Sequence, residues 1–346
     1  MIISPLRLRL DGDALVSNWR TLAAMSGGAA CGAAVKANGY GLGAREVVQR
    51  LAGAGCRDFF VATWREAAGL ADLGVSVSVL HGLREEDLPV AVAVGAATIR
   101  PVLNTVQQVQ RWRDAGGGAC DVMVDTGMNR LGIAPEDVST GLLDGLEVET
   151  LMSHLASADE DVPLNRLQRD RFAALAGKSG ARRMSLANSA GIGLGQGYAF
   201  DLTRPGIALY GGIPARAFAG RIRQVVTPEV QVLQRRRVAA GQSVGYNATW
   251  TAAADTEVAI LNLGYADGYL RCFSDKGSAI ASGIRMPVIG RVSMDLTAID
   301  ASAVPDLAEG DWVAIDYALP EAAVLSGMSQ YELLTALGAR YDRMWY

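Results

Sequence analysis

Residues 5–10 alternate apolar and basic side chains at period two, the signature of a half-buried strand. Residues 13–24 then place apolar side chains at helical spacing, with Asp11 or Asp13 positioned as a cap. From there short apolar runs recur near Val35, Phe60, Val79, Val102, Val124, Leu151, Ser185 and Leu209. Segments of helical period separate them, as at 44–53, 64–73 and 106–115. The unit is a strand followed by a helix, roughly one every 25 residues, and eight such units predict an α/β fold built as a (β/α)8 TIM barrel. A doubly wound open sheet is the competing arrangement. The count of runs, and the lack of a GxGxxG after the first of them, favour the barrel. Near Gly220 the texture changes. From Val225 onward the chain is rich in Val, Thr and Gly, with turn signals at Ala240-Gly241-Gln242, Ala266-Asp267-Gly268 and Glu309-Gly310-Asp311. That pattern predicts a mostly antiparallel β-domain with one late helix at 330–339. The expected division is therefore 1–10 as a strand joining the β-domain, 11–220 as the barrel, and 221–346 as the β-domain.

Bulk properties narrow the function classes. Of the 346 residues, 50% are hydrophobic and 20% charged, ordinary for a globular protein, and the net charge of -4 leaves no basic footprint for nucleic acid. Cys31, Cys56, Cys120 and Cys272 form no CxxC pair and do not cluster with His81 or His154, so neither a zinc site nor a disulfide framework is predicted. The apolar stretch at 90–97 falls far short of the ~20 residues needed to span a bilayer. The N-terminus lacks the apolar core of a signal peptide. A cytoplasmic protein with reduced thiols, no membrane contact and no metal is the expectation.

The chemistry centres on Lys36. The apolar run from Cys31 to Val35 stops at this lysine, and Gly39, Gly41 and Gly43 open a loop behind it. In α/β proteins ligands bind at that end of a strand. A lysine set among apolar neighbours has a lowered pKa, and its amine becomes a nucleophile toward a carbonyl such as the aldehyde of pyridoxal phosphate. The alternative is a surface lysine ending a strand. Four other stretches carry similar choices. Arg204-Pro205-Gly206 comes at the eighth run, where barrels often bind phosphate, and is otherwise a structural turn with a solvated arginine. Asn188-Ser189 suits an anion or an ordinary helix cap. Arg130, after the fifth run, suits a forked grip on a carboxylate or a surface ion pair. His154, after the sixth, is a core histidine or a member of the functional rim, whereas His81 reads as structural.

Taken together these stretches resemble the motifs of the alanine racemases. Val35-Lys36-Ala37-Asn38-Gly39-Tyr40-Gly41-Leu42-Gly43 is similar to that family's cofactor-lysine motif, an apolar run followed by Lys-Ala-Asn-x-Tyr-Gly-x-Gly. Asp125-Thr126-Gly127-Met128-Asn129-Arg130, His154-Leu155-Ala156-Ser157-Ala158-Asp159, Ala187-Asn188-Ser189-Ala190 and Arg204-Pro205-Gly206 through Tyr210-Gly211 match in the family's order. In the β-domain, Gly245-Tyr246-Asn247-Ala248-Thr249, Gly264-Tyr265-Ala266-Asp267-Gly268 and Val292-Ser293-Met294-Asp295 continue the match. The resemblance implies a pyridoxal-phosphate enzyme that interconverts L- and D-alanine with two bases, Lys36 and Tyr246, supplying D-alanine for peptidoglycan or degrading it. It implies cofactor contacts at Lys36, Tyr40, His154, Ser189, Arg204, Gly206 and Ile207, and substrate contacts at Arg130, Tyr265, Met294 and Asp295. It implies a relay from His154 and Arg204 toward the catalytic tyrosine, and a homodimer in which Tyr246 serves the Lys36 of the other subunit.

Four positions depart from the family pattern. Met123 stands where many relatives carry a carbamylated lysine, Ser293 where cysteine is common, Asn247 where glycine is usual, and Ala339 where some relatives place a phosphate-binding tyrosine. The room left at Ala339 would suit a larger side chain such as serine's. A serine or broader-specificity racemase is thus one alternative. A decarboxylase or aldolase on the same cofactor lacks the expected acidic partner or metal site. A non-catalytic cofactor-binding barrel would resemble the barrel alone, and the β-domain with Tyr246 argues against it.

Overall fold

The computed structural model describes residues 3–93 and 98–346. Met1 and Ile2 of the expected N-terminal strand, and the far end of the 90–97 apolar stretch, lie outside the described residues. The chain forms two compact units. One holds the described residues up to Asp13 together with Gln224–Tyr346; the other is Ala14–Arg223.

Ala14–Arg223 is the barrel. Its parallel strands run in order as Ala33–Ala34, Asp58–Val61, Ser76–Val79, Ile99–Leu103, Cys120–Met123, Val148–Met152 and Arg183–Ser185. Leu202–Thr203 then pairs in parallel with Ala30–Cys31, the opening part of the first strand. The Arg204 N–H donates to the Ala187 carbonyl just beyond the seventh strand, and the Gly32 N–H donates to the Thr203 carbonyl. These bonds close the ring at eight strand positions. The helices Ala44–Ala54, Trp64–Ala68, Val106–Asp114 and Pro163–Ala173 lie between strands; the first three bury an apolar side, and the last buries Phe172 with Asn165 and Gln168.

Several elements differ from the pattern-based expectation. The run near Leu209 is not the eighth strand, which comes earlier at Leu202–Thr203. Ile207–Tyr210 is instead one 3-10 turn, all four residues of which are buried. A buried turn and a buried strand give the same apolar signature, and Pro205 and Gly206 interrupt the extended path. The expected helix at 64–73 breaks at Gly69 into Trp64–Ala68 and a 3-10 turn, Ala71–Leu73. The late helix is only Gln330–Thr335, and a second one, Leu319–Ser326, precedes it.

The barrel interior is more polar than its apolar runs foretell. Across it, Arg183 grips Asp58 through two bonds of 2.8 and 3.1 Å, joining strands that are not neighbours. The Ser78 hydroxyl donates to the fully buried Asp121 at 2.6 Å, and the Arg100 Nε lies 3.6 Å from the same carboxylate oxygen. Side chains at alternate positions of a strand point inward, so single polar residues inside apolar runs meet here.

The other unit is a sheet of eight strands, antiparallel apart from one pair. The 13-residue strand Val226–Val238 is its spine. It pairs with Leu6–Leu10 and Trp312–Ile315 along its first half and with Thr256–Leu261 along its second. Leu6–Leu10 also pairs in parallel with Asp342–Trp345. Thr297–Asp300 borders Thr256–Leu261, which sets the loops after Leu261 and before Thr297 at one edge. Ser243–Val244 and Trp250–Thr251 form a separate small hairpin.

Removing Asp58 takes two charge-assisted bonds from Arg183, which is a quarter exposed and keeps Glu149 at 3.7 Å. Asp58→Ala is expected to cost about 2 kcal/mol of unfolding free energy in urea titration. An unchanged unfolding midpoint would show that the pair does not hold the barrel.

Candidate active site

Every candidate residue of the barrel follows the C-terminal end of a strand, so all share one rim. Lys36 follows the first strand, Arg130 the fifth, His154 the sixth, Ser189 the seventh, and Arg204, Gly206 and Ile207 the eighth.

Lys36 leads into a left-handed turn. Ala37, Asn38 and Gly39 have φ of 52°, 54° and 64°, and Tyr40 has 55°. Such backbone costs about 1 kcal/mol per non-glycine residue and must be held by its surroundings. Glu66 supplies one hold: its carboxylate accepts from the Ala37 N–H at 2.7 Å and from the Ala62 N–H at 2.7 Å. Asn38 supplies another by accepting the first N–H of the next helix, at Ala44. Tyr40 is thereby turned inward, where its ring stacks on Tyr210 at 4.6 Å, and the Tyr210 hydroxyl donates to the Ala34 carbonyl.

Gly206 makes room for Tyr40. A Cβ there would lie 2.2 Å from the Tyr40 hydroxyl. The Ser189 oxygen accepts from the Gly206 N–H at 2.8 Å and the Ala208 N–H at 3.3 Å. With both acceptor positions used, the Ser189 proton is left to donate. Tyr40, Ser189, Gly206 and Ile207 thus gather at one place, with oxygens and N–H groups of the kind that bind an anion.

Arg130 sits on a loop wrapped around Asp125. One Asp125 oxygen accepts from the N–H groups of Gly127 and Met128, both at 2.8 Å, and the other from that of Arg130 at 3.0 Å. Burial pushes this carboxyl up, but backbone donors at Gly127, Asn129, Met128 and Arg130 outweigh it and hold it below the usual range. The Arg130 side chain is exposed. Met123, where many relatives carry the modified lysine, is buried in the barrel.

Arg204 is buried, and it donates to the Ser153 carbonyl at 2.5 Å and to the Ser185 hydroxyl. Burial lowers its pKa to about 10, with Asp121 pulling the other way, so it stays a cation and only a donor near neutral pH. The Lys36 amine is held below its ordinary pKa by burial first and then by Arg130, with Glu66 opposing and Arg204 adding. His154 is pushed down to about 3 by burial, then by Arg204, Arg130 and Lys36. The rim therefore collects two arginines, a lysine amine held below its ordinary pKa and a neutral imidazole. The hydrogen bonds of Arg204 go to Ser153 and Ser185.

In the other unit Tyr246 lies in the loop of the small hairpin, 65% exposed. Asn247, beside it, has φ 62°. Asparagine tolerates this left-handed region better than most residues, so it suits a position where the resemblance leads one to expect glycine. Tyr265 and Met294 are brought together: the Tyr265 N–H donates to the Ser293 carbonyl and the Ala266 N–H to the Met294 carbonyl, both at 3.0 Å. Asp295 pairs with Arg340 at 2.8 Å.

Glu66, Asp125, Tyr210, Ser153, Ser185 and Arg340 were given no role by sequence reading. Thr63-x-x-Glu66 is a capping-box signal, and Asp125-x-Gly127 an Asx-turn signal, so two of them were open to detection.

The chain matches the family model described as alanine racemase, N-terminal domain, over residues 10–214, and that described as alanine racemase, C-terminal domain, over 225–345. It is 41% identical to an alanine racemase of Acidiphilium cryptum over 97% of this chain and 98% of that one. It is 42% identical to an alanine racemase of Rhodospirillum rubrum over 98% and 95%. Among solved structures, alanine racemase from Bartonella henselae with covalently bound pyridoxal phosphate superposes with a TM-score of 0.90 at 33% identity, covering 99% of both chains. With both family models matched in order along nearly its whole length, this chain belongs to the alanine racemase family.

Proposed function

We propose that this protein interconverts L- and D-alanine with pyridoxal phosphate, and that Lys36 and Tyr246 are its two bases. The observation that carries the proposal is Lys36 itself: a strand-end amine held below its ordinary pKa by burial and by Arg130, beside an anion-binding cradle. The residues present fit the cofactor. The missing Cβ of Gly206 admits the Tyr40 hydroxyl close to Ser189, whose proton is left to donate because its oxygen already accepts from Gly206 and Ala208, and hydroxyl donors of this kind suit a phosphate ester. The Bartonella henselae relative holds the same cofactor covalently, which supports Lys36 as the attachment point. In this assignment Tyr40, Ser189, Gly206 and Ile207 hold the phosphate, and Arg204 and His154 line the ring.

When bound, pyridoxal phosphate supplies an electron sink that acidifies the Cα–H of an attached amino acid. Arg204, a donor that keeps its proton near neutral pH, would offer the cofactor ring no acidic partner, which would restrain side reactions. Arg130, exposed on its Asp125-braced loop, is assigned the substrate carboxylate. Met294, Tyr265 and Asp295 are assigned as further substrate contacts, with the Asp295 carboxylate itself held by Arg340. Lys36 and Tyr246 exchange the Cα proton: one removes it, the other returns it, and inversion requires them to act from opposite faces. The positive charge of Arg130 and Arg204 favours a neutral Lys36 amine. Tyr246 is exposed on its own unit, and we assign it to the Lys36 site of a second copy, which makes the working enzyme a homodimer. Four free cysteines suit a cytoplasmic setting, and D-alanine for peptidoglycan, or its breakdown, is the role we assign.

Lys36→Ala is expected to lose racemisation of alanine by about a thousandfold or more, and to lose the cofactor on gel filtration. Retained activity with retained cofactor would overturn the proposal. L-serine tested in the same optical-rotation assay separates an alanine enzyme from a serine-preferring one.

Arg130→Lys keeps the charge but not the fork. The expected result is a rise in KM for alanine of about tenfold with a smaller change in kcat. A fall confined to kcat would remove Arg130 from carboxylate binding.

His154 makes stability pH-dependent. Its pKa is about 3 in the folded protein against 6.5 ordinarily. Between these values the unfolded chain binds more protons, so stability is full above pH 6.5 and falls as pH drops toward 3. The loss from this group is up to about 1.4 kcal/mol per pH unit. Urea titrations at several pH values are expected to show a shallower acid slope in His154→Gln. An identical slope would mean that the histidine is not held neutral.

A further inference from the structure

The loops that carry Tyr265 and Met294 come from neighbouring strands, and nothing in a strand pair fixes the loops beyond it. Three features fix these. The Tyr265 and Ala266 N–H groups donate to the Ser293 and Met294 carbonyls, both at 3.0 Å. Gly264 permits that approach, since a Cβ there would lie 2.2 Å from the Met294 oxygen. The third is Arg340, whose Nε donates to Asp267 at 2.6 Å while its Nη1 donates to Asp295 at 2.8 Å.

Asp267 is only 1% exposed, and its other oxygen accepts from the Gly264 N–H at 3.0 Å. Asp267 therefore ends the Tyr265 turn, Asp295 adjoins Met294, and one guanidinium spans the two. Arg340 is itself anchored. The Ser4 hydroxyl donates to its carbonyl at 2.6 Å, and the Gly338 N–H donates to the Asp267 carbonyl at 3.3 Å. The separate Nε and Nη1 donors of a guanidinium reach the two carboxylates in a fixed planar geometry, which the compact ammonium of a lysine does not reproduce.

We infer that Arg340 is a positioning residue which clamps the Tyr265 turn to the Met294 loop and so sets the substrate-carboxylate edge of the site. The role rests on the alanine racemisation proposed above. It predicts a specific signature. The clamp sets where Tyr265 and Met294 stand without touching the reacting atoms, so its loss falls on KM.

The test compares wild type, Arg340→Ala and Arg340→Lys as full-length holoenzyme. Three readouts are used: KM and kcat for alanine, rescue by guanidinium chloride at millimolar concentration, and amide hydrogen exchange of 264–268 and 293–296. In Arg340→Ala, KM is expected to rise about tenfold with kcat changed much less, the size of one lost charge-assisted hydrogen bond. Both segments exchange faster, and guanidinium recovers part of the KM. Arg340→Lys is expected to fall between the two and to gain nothing from guanidinium. Unchanged KM, or a loss confined to the active fraction or to thermal stability, overturns the inference. If wild type does not racemise alanine, the activity proposal fails by itself, and hydrogen exchange still judges the clamp: unaltered exchange in both segments of Arg340→Ala overturns it.

Discussion

A lysine at the mouth of a barrel is ordinarily a solvated cation. Lys36 is held away from that state by partial burial and by two fixed positive neighbours, Arg130 and Arg204. The surrounding structure serves this arrangement. Glu66 and Asn38 hold the left-handed turn that follows the lysine, Tyr210 steadies Tyr40 behind it, and Asp125 braces the loop bearing Arg130. Arg204 is fixed by the Ser153 carbonyl and the Ser185 hydroxyl from below. Few of these groups touch a substrate in the proposed reaction, yet each determines where a charge stands.

Burial first, and then the same charges, explain the neutral histidine. In the proposed site, cations around the ring would make a charged His154 costly, and the imidazole is pushed toward its neutral form. A histidine that accepts or donates a hydrogen bond without titrating near neutral pH is a fixed dipole. Asp121, buried beneath with Arg100 and Ser78, offsets part of the positive charge on Arg204 from inside the barrel. The polar interior thus bears on the rim, although it lies below it.

Much of this was open to sequence reading because the motifs are local. Lys36, Arg130, His154, Ser189 and Arg204 each follow a recognisable strand, and a parallel barrel brings strand ends to one rim whatever the details. What escaped depends on contacts distant in sequence. Asp58 meets Arg183 across 125 residues, and Arg340 meets Asp267 across 73, and neither pairing leaves a trace in periodicity. The Leu209 run was misread because burial alone does not tell a 3-10 turn from a strand. Asn247 looked like a departure from the family. Its positive φ is one that asparagine, like glycine, accommodates.

The central claim is that two bases, Lys36 and Tyr246, serve one Cα. It is tested most directly by incubating purified holoenzyme with L-alanine and, separately, with D-alanine in deuterated water, following Cα–H exchange by NMR and rotation by polarimetry, for wild type and Tyr246→Phe. The account predicts that wild type exchanges the proton and loses rotation, whereas Tyr246→Phe loses racemisation and retains exchange only from the substrate enantiomer that Lys36 deprotonates. Normal racemisation by Tyr246→Phe, or wild-type exchange with rotation fully retained, would contradict it.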